Sequence, residues 1–285
     1  MKEKNQLEES IGAFEKKHLS RKDFLKFSAL TGAAVAVSNL AKTLVAEPLK
    51  NKPKHRYTMV IDLARCVGCE SCTIACKVEH NVPVASPKEI ARRIEWTEVY
   101  FKEKGKYPNV KIDLNPRPCY HCENPPCVPV CTVKATYQDK DRGLVLQHHE
   151  RCKGLGYCVA NCPYGARYLN LSEPDYGGKL REAALNPDPH PQVKKRRKGI
   201  VEKCTFCVER LDRLEAKAEK EGRPIRDEEL QLICACVKTC MGRARHMGDL
   251  NDPDSMVSKL SQGKRAFRMQ EELGTKPKVI YLKET

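Results

Sequence analysis

Closely spaced cysteines constrain this chain more than any other feature of its sequence. The first run is C-V-G-C-E-S-C-T-I-A-C, with the spacing C-x2-C-x2-C-x3-C, at Cys66, Cys69, Cys72 and Cys76. Three further groups follow, at Cys119, Cys122, Cys127 and Cys131; at Cys152, Cys158 and Cys162; and at Cys204, Cys207, Cys236 and Cys240. A chain of 285 residues can bury a core without disulfide staples. Such tight groups therefore indicate metal sites.

The spacing within the runs distinguishes between metals. Two residues between cysteines let consecutive thiolates reach neighbouring corners of one iron–sulfur cubane, and the last cysteine of a run ligates the other cluster of a pair. Zinc also accepts C-x2-C pairs, but a structural zinc site closes with four ligands. Repeated runs of four cysteines exceed that need. The pattern therefore favours iron–sulfur clusters, with a zinc-stabilised binding module as the alternative.

The third run, H-E-R-C-K-G-L-G-Y-C-V-A-N-C-P-Y-G, departs from the pattern at one position. Cys152, Cys158, Cys162 and Pro163 fit the bacterial-type spacing, whereas Leu155 occupies the second ligand position. The sequence therefore raises the question of whether this run holds a cluster of another type.

Local sequence patterns predict the fold class. Alternating, β-prone residues precede the first three runs, at 57–63, 110–118 and 143–147. Runs two and three continue after their last cysteines as V-K-A-T-Y-Q and P-Y-G-A-R-Y-L. A repeat of strand, ligand loop, short helix and strand is typical of a two-cluster ferredoxin. We therefore predict an α+β fold with two nested two-cluster ferredoxin-like units, rich in cysteine, with loop and helical insertions.

The fourth group contains an insertion between Cys207 and Cys236. Its first part, V-E-R-L-D-R-L-E-A-K-A-E-K-E-G, predicts a solvent-facing helix that ends at Gly222 and carries an i,i+4 pair of Glu209 and Arg213. Its second part, D-E-E-L-Q-L-I-C-A-C-V, predicts another helix. A docking insertion and a plain solvated hairpin are both consistent with this pattern.

Taken together, the motifs resemble one known family. The characteristic segments are C-Y-H-C-E-N-P-P-C-V-P-V-C, G-Y-C-V-A-N-C-P-Y-G-A-R-Y, K-C-T-F-C, A-C-V-K-T-C and G-D-L-N-D-P-D-S. They are similar to the electron-transfer subunit of molybdopterin oxidoreductases, a family that includes the iron–sulfur subunits of dimethyl sulfoxide, polysulfide, thiosulfate, tetrathionate, arsenate and nitrate reductases. The resemblance covers about residues 57 to 257.

The resemblance implies four clusters, because runs one and four exchange their last ligands and runs two and three do the same. The implied ligand sets are Cys66, Cys69, Cys72 and Cys240 (site one); Cys204, Cys207, Cys236 and Cys76 (site two); Cys119, Cys122, Cys127 and Cys162 (site three); and Cys152, Cys158 and Cys131 (site four). Sites one to three are expected to hold [4Fe-4S] clusters. At site four, where Leu155 stands at the vacant ligand position, we expect a [3Fe-4S] cluster. A cubane with another fourth ligand, which would make four [4Fe-4S] clusters, and an absent cluster are the alternatives.

The same pairing predicts the domain organisation. We expect one ferredoxin-like unit from runs one and four and a second from runs two and three, flanked by a leader, a basic Pro-rich linker and a C-terminal tail. The first unit spans residues 49–115 and 200–257, and the second spans residues 116–175. The leader spans residues 1–48, the linker 176–199 and the tail 258–285.

The basic balance of the chain does not by itself indicate nucleic acid. The formal net charge of +15 counts thiols as neutral, whereas each cubane with four thiolates carries about −2, so four clusters would remove roughly eight positive charges. The densest basic run, K-K-R-R-K, lies in the expected linker, and no nucleic-acid fold motif accompanies it. We therefore expect no nucleic-acid partner.

The N-terminal segment resembles a twin-arginine export signal. The sequence S-R-K-D-F-L-K matches that pattern except that Arg21-Lys22 replaces the arginine pair. It predicts export to the periplasmic or outer face of the cytoplasmic membrane, with a cytoplasmic protein and an amphipathic N-terminal helix as the alternative. No segment reaches the length of about 18 apolar residues that a membrane span needs. A partner would therefore hold the protein at the membrane.

These features predict an electron carrier rather than a catalyst. The sequence has no G-x-G-x-x-G or P-loop pattern and no nucleophile elbow. The resemblance implies a non-catalytic subunit that relays electrons between an integral-membrane, quinol-oxidising anchor subunit and a molybdenum or tungsten pterin catalytic subunit. The segment C-M-G-R-A-R-H-M-G-D-L resembles the branch acting on sulfur and arsenic oxyanions. A free polyferredoxin and a subunit of a hydrogenase or formate dehydrogenase are the alternatives.

Two residues near the ligands need separate interpretations. Cys234 has no place in the four sets, and we expect a small buried hydrophobic residue there; the alternative is that it replaces Cys236 as a ligand. His121 lies between two ligands in C-Y-H-C and is a candidate hydrogen-bond donor behind them.

Overall fold

The structure is a computed structural model that describes residues 53–83, 94–173 and 196–284. The expected leader and most of the expected linker lie outside the described residues, so both stay predictions. Within the described ranges the chain forms both strands and helices. This mixed content agrees with the predicted α+β class.

A four-stranded sheet forms the centre of the described fold. Its strands are β1 (Tyr57–Asp62), β8 (Arg245–Asp249), β9 (Ala266–Phe267) and β10 (Val279–Leu282), in the order β8-β1-β10-β9. β1 pairs with β10 in parallel and with β8 in antiparallel orientation. Because the first run follows β1 and the fourth run precedes β8, this pairing brings distant cysteines to the same end of the sheet.

The strand β1 is buried on both faces, which explains its nearly continuous apolar sequence. Met59 and Ile61 pack into the main core, which also contains most of the buried cysteines. Val60 points the other way and packs with Ile280 of β10 and Val257 of the helix α6 (Met256–Ser261). The predicted strand at 57–63 is therefore confirmed as a central strand of the sheet.

The C-terminal segment 258–285 differs from the predicted tail. It contributes β9 and β10, and all four residues of β10, V-I-Y-L, are buried. The segment belongs to the sheet rather than to a tail because its residues pair with β1, at the other end of the described chain.

Three two-stranded antiparallel ribbons accompany the four-stranded sheet. They are β2 with β3 (Thr97–Lys104 and Lys111–Pro118), β4 with β5 (Thr136–Gln138 and Val145–Gln147) and β6 with β7 (Tyr168–Leu169 and Val201–Glu202). The strands predicted at 110–118 and 143–147 correspond to β3 and β5.

Short helices begin inside three of the cysteine groups and carry ligand candidates on their turns. They are α1 (Ser71–His80), α2 (Tyr157–Ala160) and α5 (Ala235–Lys238). The insertion forms two more helices, α3 (Val208–Lys220) and α4 (Asp227–Gln231). The second predicted helix is therefore interrupted, because the chain turns at Leu232 and Ile233 between α4 and α5.

The helix α3 has its predicted position but a more buried environment than expected. Leu211 is fully buried, and Glu209 is buried beside His80 rather than paired along the helix with Arg213, which is exposed. One face of α3 therefore belongs to the core, and only the opposite face meets solvent.

Candidate iron–sulfur centres

The cysteines of site one surround a single cavity. Cys66, Cys69 and Cys72 of the first run line it together with Cys240 of the fourth run. The pairing of β1 with β8 brings these two parts of the chain together, with Ile61 opposite Arg245. The backbone N–H of Ala244 donates to the sulfur of Cys240 over 3.2 Å.

The cysteines of site two meet in the core between α1 and α5. Burial raises the pKa of Cys76 well above its usual value, and the neighbouring thiolates of Cys204, Cys207 and Cys236 raise it further. The N–H of Ala235 donates to the sulfur of Cys207 over 3.4 Å. Cys76 and its three neighbours could all be ionised in this buried space only with a cationic centre among them.

The cysteines of site three form a similar group. Burial raises the pKa of Cys122, with further contributions from Cys119, Cys127 and Cys162. Burial likewise raises the pKa of Cys127 to about 11. Runs two and three thus supply one group of thiols, as the ferredoxin pattern requires.

The residues of site four surround another cavity. Its lining includes Cys131, Cys152, Cys158 and Leu155. The backbone N–H groups of Ala135 and Thr136 donate to the sulfur of Cys131, and that of Val201 donates to the sulfur of Cys152. Leu155 is 56% exposed, so its side chain lies at the mouth of the cavity.

The donor set fits iron–sulfur clusters on three observations. All sixteen cysteines are free thiols. Several sulfurs accept backbone N–H hydrogen bonds, the arrangement that stabilises thiolate ligands. Within the described ranges, the buried guanidinium groups of Arg167 and Arg245 retain nitrogen atoms without a hydrogen-bond partner, and both groups lie near these thiols. Thiols that can ionise to thiolate ligands therefore lie close to buried cations, and each can offset the charge of the other.

Across residues 53–83, 94–173 and 196–284, no three His, Cys, Asp or Glu side chains converge where one metal ion could be held. At sites one and four, the cysteines instead line cavities.

His80 is a site residue that the sequence analysis missed. It ends α1, and its Nε2 lies 3.2 Å from the sulfur of Cys207. Its Nδ1 lies 3.7 Å from a carboxylate oxygen of Glu209, and its ring stacks on Trp96. The thiolate of Cys207 and the Glu209 carboxylate raise the pKa of His80 against the effect of burial. The available signal was its position four residues after Cys76, on the same helix face.

His121 has a different role from the predicted one. Its Nδ1 accepts the N–H of Val145 over 3.2 Å, and its Nε2 donates to the carbonyl of Cys204 over 3.0 Å. Burial lowers the pKa of His121 well below its usual value, so the ring is neutral. Both nitrogens bind backbone, and the imidazole therefore joins runs two and four instead of donating to a sulfur.

Cys234 is buried as expected but is also a hydrogen-bond donor. It is fully buried, and its thiol donates to the carbonyl of Phe206 over 3.4 Å. Hydrogen bonds with Cys207 and Cys236 raise the pKa of Cys234, and the Cys234 thiol lowers the pKa of both neighbours. Cys234 therefore lies directly behind two ligand candidates and can influence them.

Comparisons with known proteins agree with this chemistry. The sequence profile of the 4Fe-4S dicluster domain matches residues 110–175. The iron-sulfur cluster-binding subunit of menaquinone reductase from Nitratidesulfovibrio vulgaris is 41% identical over 80% of this chain and 89% of its own length. A subunit of selenate reductase from Mesobacillus selenatarsenatis is 35% identical over 92% of this chain and 83% of its own. A subunit of tetrathionate reductase from Salmonella typhimurium is 35% identical over 92% and 88%, respectively.

In the part of the chain that the structure describes, no helix is both long and apolar enough to cross a membrane.

Proposed function

The chain belongs to the family of iron–sulfur electron-transfer subunits of molybdopterin-type respiratory reductases, and from this premise we propose that it relays electrons through four clusters. When bound, iron–sulfur clusters accept and release single electrons without bond chemistry in the protein. The residues of this chain would hold the clusters, shield them from water and set their potentials.

The nested arrangement of two ferredoxin-like units is the first part of the proposal. The observation that carries it is the cavity of site one, where three cysteines of the first run meet Cys240 of the last. Sites one and two would form the outer unit, from residues 49–115 and 200–257. Sites three and four would form the inner unit, from residues 116–175. The C-terminal strand β10, outside both ranges, supports the outer unit by pairing with β1.

The second part of the proposal is the set of cofactors. Sites one, two and three would each hold a [4Fe-4S] cluster on four thiolates. Site four would hold a [3Fe-4S] cluster on Cys131, Cys152 and Cys158, because Leu155 supplies no ligand where the pattern has a cysteine.

The third part of the proposal concerns the partner subunits and the localisation of the protein. The relatives are subunits of reductases, which supports a pterin-containing catalytic partner and a quinol-oxidising membrane partner. The names of two relatives, selenate and tetrathionate reductase, support an oxyanion of sulfur or a related element such as arsenic as the terminal acceptor. The twin-arginine-like leader supports export to the outer face of the cytoplasmic membrane.

The direct test is iron and sulfide analysis with electron paramagnetic resonance on the full chain, purified without oxygen. We expect about fifteen iron atoms per chain and a signal near g ≈ 2.01 in the oxidised state that disappears on mild reduction. About sixteen iron atoms without that signal would overturn the three-iron assignment, and zinc with no visible absorption would overturn the proposal as a whole. Co-purification with a large pterin-containing subunit is expected, whereas a stable free monomer would favour a soluble polyferredoxin.

A further inference from the structure

Two buried arginines occupy equivalent positions in the cysteine runs. Arg167 follows Cys162 by five residues, and Arg245 follows Cys240 by five residues, each directly after an alanine. Both side chains are 3% exposed. Since sites three and four draw on the run that contains Cys162, and sites one and two on the run that contains Cys240, each proposed ferredoxin-like unit has one such arginine.

Arg245 lies between sites one and two. It lines the cavity of site one together with Cys72 and Cys240. Its guanidinium is also within hydrogen-bonding reach of the thiol of Cys236 in site two. Its Nη1 contacts the sulfur of Met59 at 3.8 Å, whereas its Nη2 has no hydrogen-bond partner in the part of the chain that the structure describes.

Arg167 lies between sites three and four in the same way. Its Nη1 donates to Thr136 Oγ1 and Gln147 Oε1, each over 3.1 Å, and its Nε and Nη2 have no hydrogen-bond partner among the described residues. Gln147 lines the cavity of site four, and the N–H of Thr136 donates to a sulfur of that site. The thiols of Cys127 in site three and Cys158 in site four both lie close enough to Arg167 to raise its pKa against the effect of burial.

Neither arginine has a carboxylate partner among the residues that the structure describes. A buried guanidinium stays charged and requires a nearby anion. The cluster sites are the anionic groups that adjoin both side chains. Each arginine therefore has two candidates for its counter-charge, one on either side.

We propose that Arg167 and Arg245 are shared counter-charges, each placed between the two clusters of one ferredoxin-like unit so that it raises the reduction potentials of both. The inference rests on the four-site assignment proposed above. In each transfer step one electron leaves the reduced cluster and one electron reaches its oxidised neighbour, while the guanidinium gains and loses neither electron nor proton. Because the positive charge lies close to both ends of the step, it stabilises the added electron at either end.

The experiment is a redox titration followed by electron paramagnetic resonance on the anaerobically purified full chain, with Arg167→Gln as the test variant. We expect two of the four clusters to shift to lower potential together, while the other two keep their values. Arg245→Gln should shift the complementary pair. Arg167→Lys and Arg245→Lys, which keep the charge, should restore most of each shift.

The matched control is Arg243→Gln, which removes the same charge from an exposed residue three positions after Cys240. It should leave all four potentials unchanged.

A shift of one cluster only, or equal shifts of all four in either glutamine variant, would overturn the inference while leaving the four-site assignment intact. If Arg167→Gln fails to retain iron, the Arg167→Lys variant carries the test, and a loss of the wild-type potentials in that iron-loaded variant would count against a charge-based role. Fewer than four clusters in the wild-type chain would instead refute the proposed function.

Discussion

Leu155 occupies the position at which the third run lacks a cysteine, and the structure places its side chain at the mouth of the cavity of site four. Replacing it with cysteine should supply the missing thiolate. We expect Leu155→Cys, reconstituted with iron and sulfide, to lose the oxidised-state signal of a three-iron cluster and to gain about one iron atom per chain. Electron paramagnetic resonance with iron analysis measures both changes.

Val133 provides the matched control because it lines the same cavity but does not stand at a ligand position of the run. Val133→Cys introduces an equal thiol and should leave the three-iron signal in place. If the Leu155→Cys protein keeps that signal after reconstitution, the absent thiolate is not what determines the cluster type.

His80 lies 3.2 Å from the sulfur of Cys207, and an N–H donor to a ligand sulfur stabilises the reduced cluster. Replacing the imidazole with phenylalanine keeps the stacking on Trp96 and removes the donor. We expect His80→Phe to lower the potential of one cluster by roughly 40 mV, the equivalent of a hydrogen bond of about 1 kcal/mol. A redox titration measures this change.

The control for this variant is His55→Phe, because His55 stacks on Tyr57 and bonds Asp249 rather than a ligand sulfur. It should leave every potential unchanged. Unaltered potentials in an iron-loaded His80→Phe protein would show that the contact with Cys207 does not tune the cluster.

At the scale of elements, the sequence predicts the parts that are encoded locally. The strands before the first three runs follow from alternating β-prone residues, and α3 follows from its helical periodicity. The local sequence does not predict the buried face of α3, because Glu209 contacts His80, which lies in a different part of the chain. The grouping of cysteines into sites depends on the family resemblance, since spacing alone does not state which run pairs with which.

The strand β10 is a second element that its local sequence does not predict. Four apolar residues near the C-terminus carry no motif, yet they form a central strand because β1 and β9 flank them. A chain that ends after Ser261 lacks β9 and β10 and exposes one edge of β1. We expect this truncated protein to be insoluble or to lack iron, as measured by soluble yield and iron content.

The control truncation removes only Glu284 and Thr285, which follow the last strand. It should fold and bind iron as the full chain does. A soluble, fully iron-loaded protein ending after Ser261 would show that the sheet does not depend on its C-terminal strand.

At the scale of the whole molecule, the charges of the protein and of its cofactors complement each other. The formal net charge is +15, and buried cations such as Arg167, Lys203 and Arg245 lie among the cysteines. Without clusters, these cations have little to offset their burial, and the thiols around them favour their protonated forms. Cofactor binding is therefore coupled to the stability of the fold.

This coupling predicts that iron removal destabilises the entire described fold. The clusters would join segments far apart in sequence, such as those of Cys66 and Cys240, so their loss releases contacts between the two ends of the chain that meet in the sheet. We expect chelator-treated protein to unfold at a clearly lower urea concentration, with a loss of several kcal/mol in the free energy of unfolding. Trp96, the only tryptophan, is 2% exposed and stacks on His80 next to site two, so its fluorescence reports the transition. Reconstitution with iron and sulfide should restore the original midpoint, whereas equal midpoints with and without iron would show that the polypeptide core alone maintains the fold.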